Sequence, residues 1–191
     1  MARTAPAENG VVGDVYLTRV EIAARVGELG RELSLAYDGL DPLLVAPLKS
    51  SVVFLADLTR ALSIPHTLDV IELAPYTDGQ DGGVRLIKDI DSPLEGRHVV
   101  LVEDVVDTGL TLHFLCRTLQ LRNPASLAAV TLLDRPYRRL VDELPLRFVG
   151  FTVPDELFAG YGLGLEERWR ALPDLHLVSS VALPSAATEA A

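Results

Sequence analysis

Residues 98 to 111 read HVVLVEDVVDTGLT. The stretch from His98 to Val106 is almost continuously apolar, which suits a central parallel strand covered on both faces better than a strand with one wet face. Glu103, Asp104 and Asp107 interrupt it at its carboxyl end. The turn Asp107-Thr108-Gly109 leads into Leu112, Leu115, Cys116 and Leu119 at helical spacing, and Ser126 to Leu133 supplies a further apolar strand, so the whole reads as a β-α-β unit. Ligands of open parallel sheets bind at the carboxyl ends of the strands, where these carboxylates lie. Two adjacent carboxylates there are costly unless they meet water, a cation or hydroxyl groups. The helix that opens after Gly109 offers free amides and the positive end of its dipole, which favour a phosphate. A ribose phosphate with magnesium answers both demands. A plainer reading competes, in which Asp107 merely caps the helix.

Working outward, Thr18 and Glu21 form a T-x-x-E capping box, followed by Ile22, Val26, Leu29 and Leu33 at helical spacing until Tyr37-Asp38-Gly39. Leu43 to Ala46 is a short strand, Lys49-Ser50-Ser51 a loop, and Phe54, Leu55, Leu58 and Leu62 one face of a helix. Thr67 to Leu73 predicts a strand and Val84 to Lys88 another; between them Tyr76 to Gly83, rich in glycine and carboxylates, is expected to be a mobile loop. Alternating strands and helices predict an α/β fold with an open, mostly parallel sheet flanked by helices. One domain is expected over residues 14–181, with fraying tails at 1–13 and 182–191.

With 191 residues, 49% of them hydrophobic, the chain can bury a substantial core. Its net charge of −10 argues against general nucleic-acid binding. Cys116 is the only cysteine, so no intrachain disulfide forms, and no run of about 18 apolar residues suggests a membrane span. A cytoplasmic protein is expected. His66, His98, His113 and His176 show no metal-ligand spacing and are given no role, and Trp169 is expected to anchor the carboxyl-terminal segment.

On these residues the chain resembles the hypoxanthine-guanine phosphoribosyltransferase family, whose signature has two acidic residues, two apolar ones and D-T-G. EDVVDTGLT (103–111) matches it. The resemblance runs from about Gly13 to Ser180 and takes in DPLLVAPLKSSVVFLADLTRAL (41–62), NPASLAAVTLLDRP (123–136) and FVGFTVPDELFAGYGL (148–163). It implies the type I phosphoribosyltransferase fold with a mobile lid loop and a small hood. It also implies a homodimer or homotetramer that uses Mg2+. The implied reaction carries 5-phosphoribosyl from 5-phosphoribosyl 1-diphosphate to a 6-oxopurine, hypoxanthine or guanine, giving IMP or GMP and diphosphate in purine salvage.

The same resemblance implies roles residue by residue. Glu103 and Asp104 contact ribose hydroxyls and help hold magnesium; Asp107, Thr108, Gly109, Leu110 and Thr111 hold the 5-phosphate; Asp107 lies near purine N7 as proton acceptor. Leu48, Lys49 and Ser50 meet diphosphate in a loop that the family writes L-K-G with a nonproline cis peptide, Ser50 replacing the glycine here. Tyr76 belongs to the lid, where Pro75 replaces the usual serine. Arg135 stands where a lysine usually recognises the exocyclic purine oxygen, Leu157 where an aromatic ring usually stacks on the base with Phe158 beside it, and Arg170 matches an arginine that approaches diphosphate. Gly164 replaces an aspartate that serves a second magnesium. Without the resemblance, Lys49 and Arg135 read as solvated cations, Leu157 and Phe158 as core residues. The departures at Ser50, Pro75, Leu157 and Gly164 keep open a rival function, a regulatory homologue that senses 5-phosphoribosyl 1-diphosphate without turning it over.

Overall fold

The apolar run at the centre of the sequence is also the centre of the sheet. The computed structural model describes residues 12–75, 84–164 and 167–178. Strand β5 (His98–Val106) lies between β2 (Leu43–Leu48) and β6 (Ser126–Asp134), parallel to both. Beyond β2 come β3 (Thr67–Pro75), parallel to it, and β4 (Val84–Lys88), antiparallel; beyond β6 comes β7 (Leu146–Thr152), again parallel. The order of this six-stranded sheet is β4-β3-β2-β5-β6-β7.

Successive side chains of a strand point to opposite faces, so an unbroken apolar run needs two apolar covers. Val100 and Val102 face helices α1 (Arg19–Ala36) and α2 (Ser51–Ala61), with Ile22, Leu29, Phe54 and Leu58 fully buried between the layers. Val99 and Leu101 face helix α3 (Leu110–Gln120) through Leu112, Leu115 and Leu119. The capping box forms as expected: Glu21 N donates to Thr18 Oγ1 at 3.3 Å and Thr18 N to Glu21 Oε2 at 2.8 Å.

A second, three-stranded sheet has the order β1-β9-β8, built from β1 (Val12–Leu17), β8 (Phe158–Ala159) and β9 (Leu175–Val178). β1 takes in Val12 and Gly13, which composition alone assigns to a fraying tail, because antiparallel pairing with β9 brings Val12 opposite Val178. Trp169, expected to anchor this end, is half-buried at φ 71° and lies outside both core clusters, while Leu175 and Val178 are buried. The loop expected at Tyr76 to Gly83 lies outside the described residues. Among those described, no helix is long and apolar enough to cross a membrane.

Candidate active site

Parallel pairing of β2 with β5 puts the end of β2 beside Glu103 and Asp104, and α2 begins just beyond it. The two carboxylates leave the strand toward opposite layers. Asp104 Oδ1 accepts from Ser51 Oγ at 3.0 Å, and Asp104 N donates to the same oxygen at 3.3 Å. Glu103 lies toward α3 near Cys116, whose thiol is pushed up to about 12 by its own burial and, secondarily, by the charge of Glu103, far from a reactive thiolate. Glu103 and Asp104 are each 5% exposed, and Glu103 Oε1 has no hydrogen-bond partner. Burial drives the Glu103 carboxyl well above its ordinary range, Asp104's charge adding to the effect. Burial likewise raises Asp104, against the hydrogen bonds from Ser50 and Ser51.

Two buried acids with an orphaned oxygen fit a divalent cation or ribose hydroxyls, either of which would restore their charge. No group of three or more ligating side chains occurs among the described residues, so a cation here would need water or substrate for its remaining positions. Both acids open on a cleft of about 530 Å3 that is also lined by Leu48, Ser50, Asp107, Thr108, Gly109 and Thr111.

On the far side of that cleft lies the start of α3. Gly109 is its N-cap at φ 82°, a left-handed conformation that glycine adopts without strain. The first intrahelical bond there is from His113 N to Gly109 O at 2.8 Å, so the preceding amides of Thr111 and Leu112 have no partner within the helix, while that of Leu110 donates to Thr108 Oγ1 at 3.4 Å. A Cβ at Gly109 would also come within 2.8 Å of Leu144 and 3.0 Å of Arg139. Amides, hydroxyls and dipole at this helix start are suited to an anion.

Asp107 stands between this helix start and the two carboxylates. Its Oδ1 is buried without a hydrogen-bond partner, and its Oδ2 accepts from Arg135 Nη1 at 3.4 Å. Arg135 is not the solvated arginine of the plainer reading: it is 6% exposed, and its Nη2 donates to Asp155 Oδ1 at 2.5 Å.

Lys49 and Arg170 meet through a residue that the sequence did not single out. Glu167 Oε2 is 3.0 Å from Lys49 Nζ and its Oε1 3.2 Å from Arg170 Nη2, and these cations hold its carboxyl below the usual range. The Leu48–Lys49 peptide is cis, and Ser50, at φ −65° and ψ −36°, sits in a right-handed conformation that requires no glycine. Arg170 lies directly over Gly164, where an added Cβ would fall 2.8 Å from Arg170 Cγ. Phe158 packs in the core, its ring centroid 4.9 Å from that of Tyr16, whereas its neighbour Leu157 is 36% exposed. Tyr76 lies outside the described residues.

Besides Glu167, sequence reasoning missed Ser51 and Asp155. Ser51 carried a faint signal as a polar residue between two apolar segments; Asp155 carried none, since its partner Arg135 is 20 residues away.

A sheet whose central strand ends in two buried acids beside a helix N-terminus suits a phosphoribosyltransferase, and likeness to known proteins places the chain in that class. The family model described as the phosphoribosyl transferase domain matches residues 14–158. Hypoxanthine phosphoribosyltransferase of Salmonella typhimurium is 42% identical over 164 residues, which cover 84% of this chain and 92% of that one. Among solved structures, the hypoxanthine-guanine phosphoribosyltransferase of Bacillus anthracis superposes with a TM-score of 0.83 at 38% identity, covering 89% of this chain and 99% of that one. A hypoxanthine phosphoribosyltransferase of Staphylococcus aureus gives a TM-score of 0.89 at 33% identity, over 96% of this chain and 100% of that one. The chain belongs to the hypoxanthine-guanine phosphoribosyltransferase family.

Proposed function

We propose that the protein is a purine-salvage enzyme that transfers 5-phosphoribosyl from 5-phosphoribosyl 1-diphosphate to a 6-oxopurine, hypoxanthine or guanine, releasing diphosphate. The observation that carries the reading is the convergence on one cleft of two buried carboxylates, a helix N-terminus and Asp107 with an unpartnered oxygen. Glu103 and Asp104 would take the ribose hydroxyls and a magnesium ion, whose chemistry is to neutralise the departing diphosphate and fix its orientation. The amides and hydroxyls from Thr108 to Thr111 would hold the 5-phosphate. Asp107 would accept the proton from purine N7 as the new bond forms. Arg135 would donate to the exocyclic oxygen, beside a base resting on Leu157. Leu48, Lys49, Ser50 and Arg170 would meet the diphosphate, Glu167 giving way to it.

A regulator that only senses the activated ribose phosphate has no need of a carboxylate held for proton transfer, so Asp107 weighs in favour of turnover. Residues 12–181 would act as one catalytic domain, with Tyr76 in its lid, as a cytoplasmic homodimer or homotetramer; light scattering tests the assembly. The function is tested by diphosphate release from 5-phosphoribosyl 1-diphosphate and magnesium with hypoxanthine, guanine, xanthine and adenine in turn. Release that depends on a 6-oxopurine is the expected result. Binding without release by any base would replace the enzyme with the sensor.

A further inference from the structure

Behind Asp107 the charges alternate. Arg135 Nη1 lies 3.4 Å from Asp107 Oδ2 and its Nη2 2.5 Å from Asp155 Oδ1, while Arg138 Nε is 3.7 Å from one oxygen of each aspartate. The backbone sets this up. Arg135 N donates to Val106 O at 3.0 Å and Val153 N to Asp134 O at 2.9 Å, so the exits of β5, β6 and β7 are fastened together and Asp155 arrives beside the guanidinium. Burial is uneven, the Arg135 side chain being 7% exposed and that of Asp155 58%.

The two arms of the fork are not equivalent. Charge-assisted N–H···O bonds usually run about 2.7–2.9 Å, so the Asp155 arm is fully made and the Asp107 arm, at 3.4 Å, is stretched. An incoming acceptor displaces the stretched bond at little cost and leaves the short one in place. A guanidinium can divide itself in this way because its donors form a planar fork; a lysine ammonium has one nitrogen to give.

Resting on the function proposed above, we infer that Asp155 is a positioning residue for the purine: it keeps one arm of Arg135 fixed while the other leaves Asp107 for the exocyclic oxygen of the base. Asp107 thereby gives up its Arg135 contact as purine N7 arrives and keeps only the longer one to Arg138 Nε, at 3.7 Å. The held arm also fixes the sense of recognition, because a guanidinium offers donors only: it accepts an oxo group and rejects an amino group at the same place.

The test is steady-state kinetics of the full chain and of its Asp155→Asn and Asp155→Glu variants, with hypoxanthine, guanine and adenine. Asp155→Asn should raise KM for the 6-oxopurine about tenfold, as expected for loss of one charged hydrogen bond, and narrow the preference over adenine. KM for 5-phosphoribosyl 1-diphosphate should stay within about twofold, and in an Arg135→Ala background the same change should add less than about twofold to KM for the base. Asp155→Glu, with the charge kept and the reach altered, should fall between wild type and Asp155→Asn. A base KM that does not move, or one that moves in step with the other substrate's KM and with Tm, overturns the proposal. If Asp155→Asn does not fold, Asp155→Glu decides alone by the same split. If the wild type releases no diphosphate with any base, the enzymatic reading has failed, and calorimetric titration with IMP judges Asp155 separately: equal affinity in wild type and variants, or no binding by either, overturns it.

Discussion

Asp107 differs from the two acids before it in what surrounds it. Glu103 and Asp104 are almost wholly buried, whereas Asp107 is half-buried at the edge of the cleft, with one oxygen engaged by Arg135 and the other without a hydrogen bond, 3.7 Å from Arg138 Nε. If it is the proton acceptor, Asp107→Asn should slow turnover by at least about 100-fold, the usual lower range for removing a general base. Binding of 5-phosphoribosyl 1-diphosphate, followed by calorimetry, should hardly change, and unaltered turnover would exclude Asp107 from the role. Glu103 supports a prediction about stability. Its folded-state pKa is raised by burial, so the empty protein binds this proton more tightly than the unfolded chain does. That contribution is fully present below the ordinary value of 4.5 and is lost as pH rises through the higher folded value. Glu103→Gln keeps the neutral shape at every pH. Without ligand, its Tm should match wild type in acid and exceed it by a few degrees at neutral pH; a variant that is equally or less stable at neutral pH would show that Glu103 is not buried at an energetic cost.

At the scale of elements, the junction of β5 and α3 does most to place the site, and it was the part most legible in the sequence. A nearly continuous apolar run of this length, rich in valine, suits a two-sided buried strand, and D-T-G followed by apolar residues at helical spacing suits a turn into a helix. Gly109 is required there twice over, by its left-handed backbone and by the contacts its Cβ would make with Leu144 and Arg139. Gly109→Ala should cost about 1–3 kcal/mol of stability, read from urea unfolding, and should weaken binding of 5-phosphoribosyl 1-diphosphate. Full affinity in that variant would mean that this helix start is not where the 5-phosphate binds. Helix α1 was equally legible, through its capping box and its run of Ile22, Val26, Leu29 and Leu33. β1, β8 and β9 were not legible. β8 spans two residues, and β1 has a burial pattern with no clean alternation because its cover comes from β9, more than 150 positions away. Likewise the partners Ser51 for Asp104 and Asp155 for Arg135 follow from chain crossings that local spacing does not encode. Ser51→Ala should therefore weaken magnesium-dependent substrate binding by leaving Asp104 without its buried donor.

Across the whole molecule, a net charge of −10 coexists with a site to which Lys49, Arg135, Arg138 and Arg170 are drawn, each paired with a carboxylate of the protein itself. The cations are thus already neutralised, and the buried acids Glu103 and Asp104 are held toward their neutral forms. An anionic ligand alone must displace internal carboxylates, and a metal alone finds only two protein carboxylates, in a place where no larger ligating group occurs among the described residues. If Glu103 and Asp104 hold the metal and Lys49 and Arg170 meet the diphosphate, as proposed, each ligand would satisfy the other's surplus: the acids would ionise against the cation, and Glu167 would leave Lys49 and Arg170 to the diphosphate. Thermal unfolding should therefore show synergy. Magnesium alone should shift Tm by no more than about 1 °C, while magnesium with 5-phosphoribosyl 1-diphosphate at about 100 times its Kd should stabilise by roughly 2.7 kcal/mol, or about 5–11 °C for a chain of this size. A full shift from magnesium alone would reveal a metal site built from protein side chains only. Equal shifts with and without magnesium would remove the metal from the role assigned to Glu103 and Asp104, leaving those acids to bind ribose as hydrogen-bonded neutral groups.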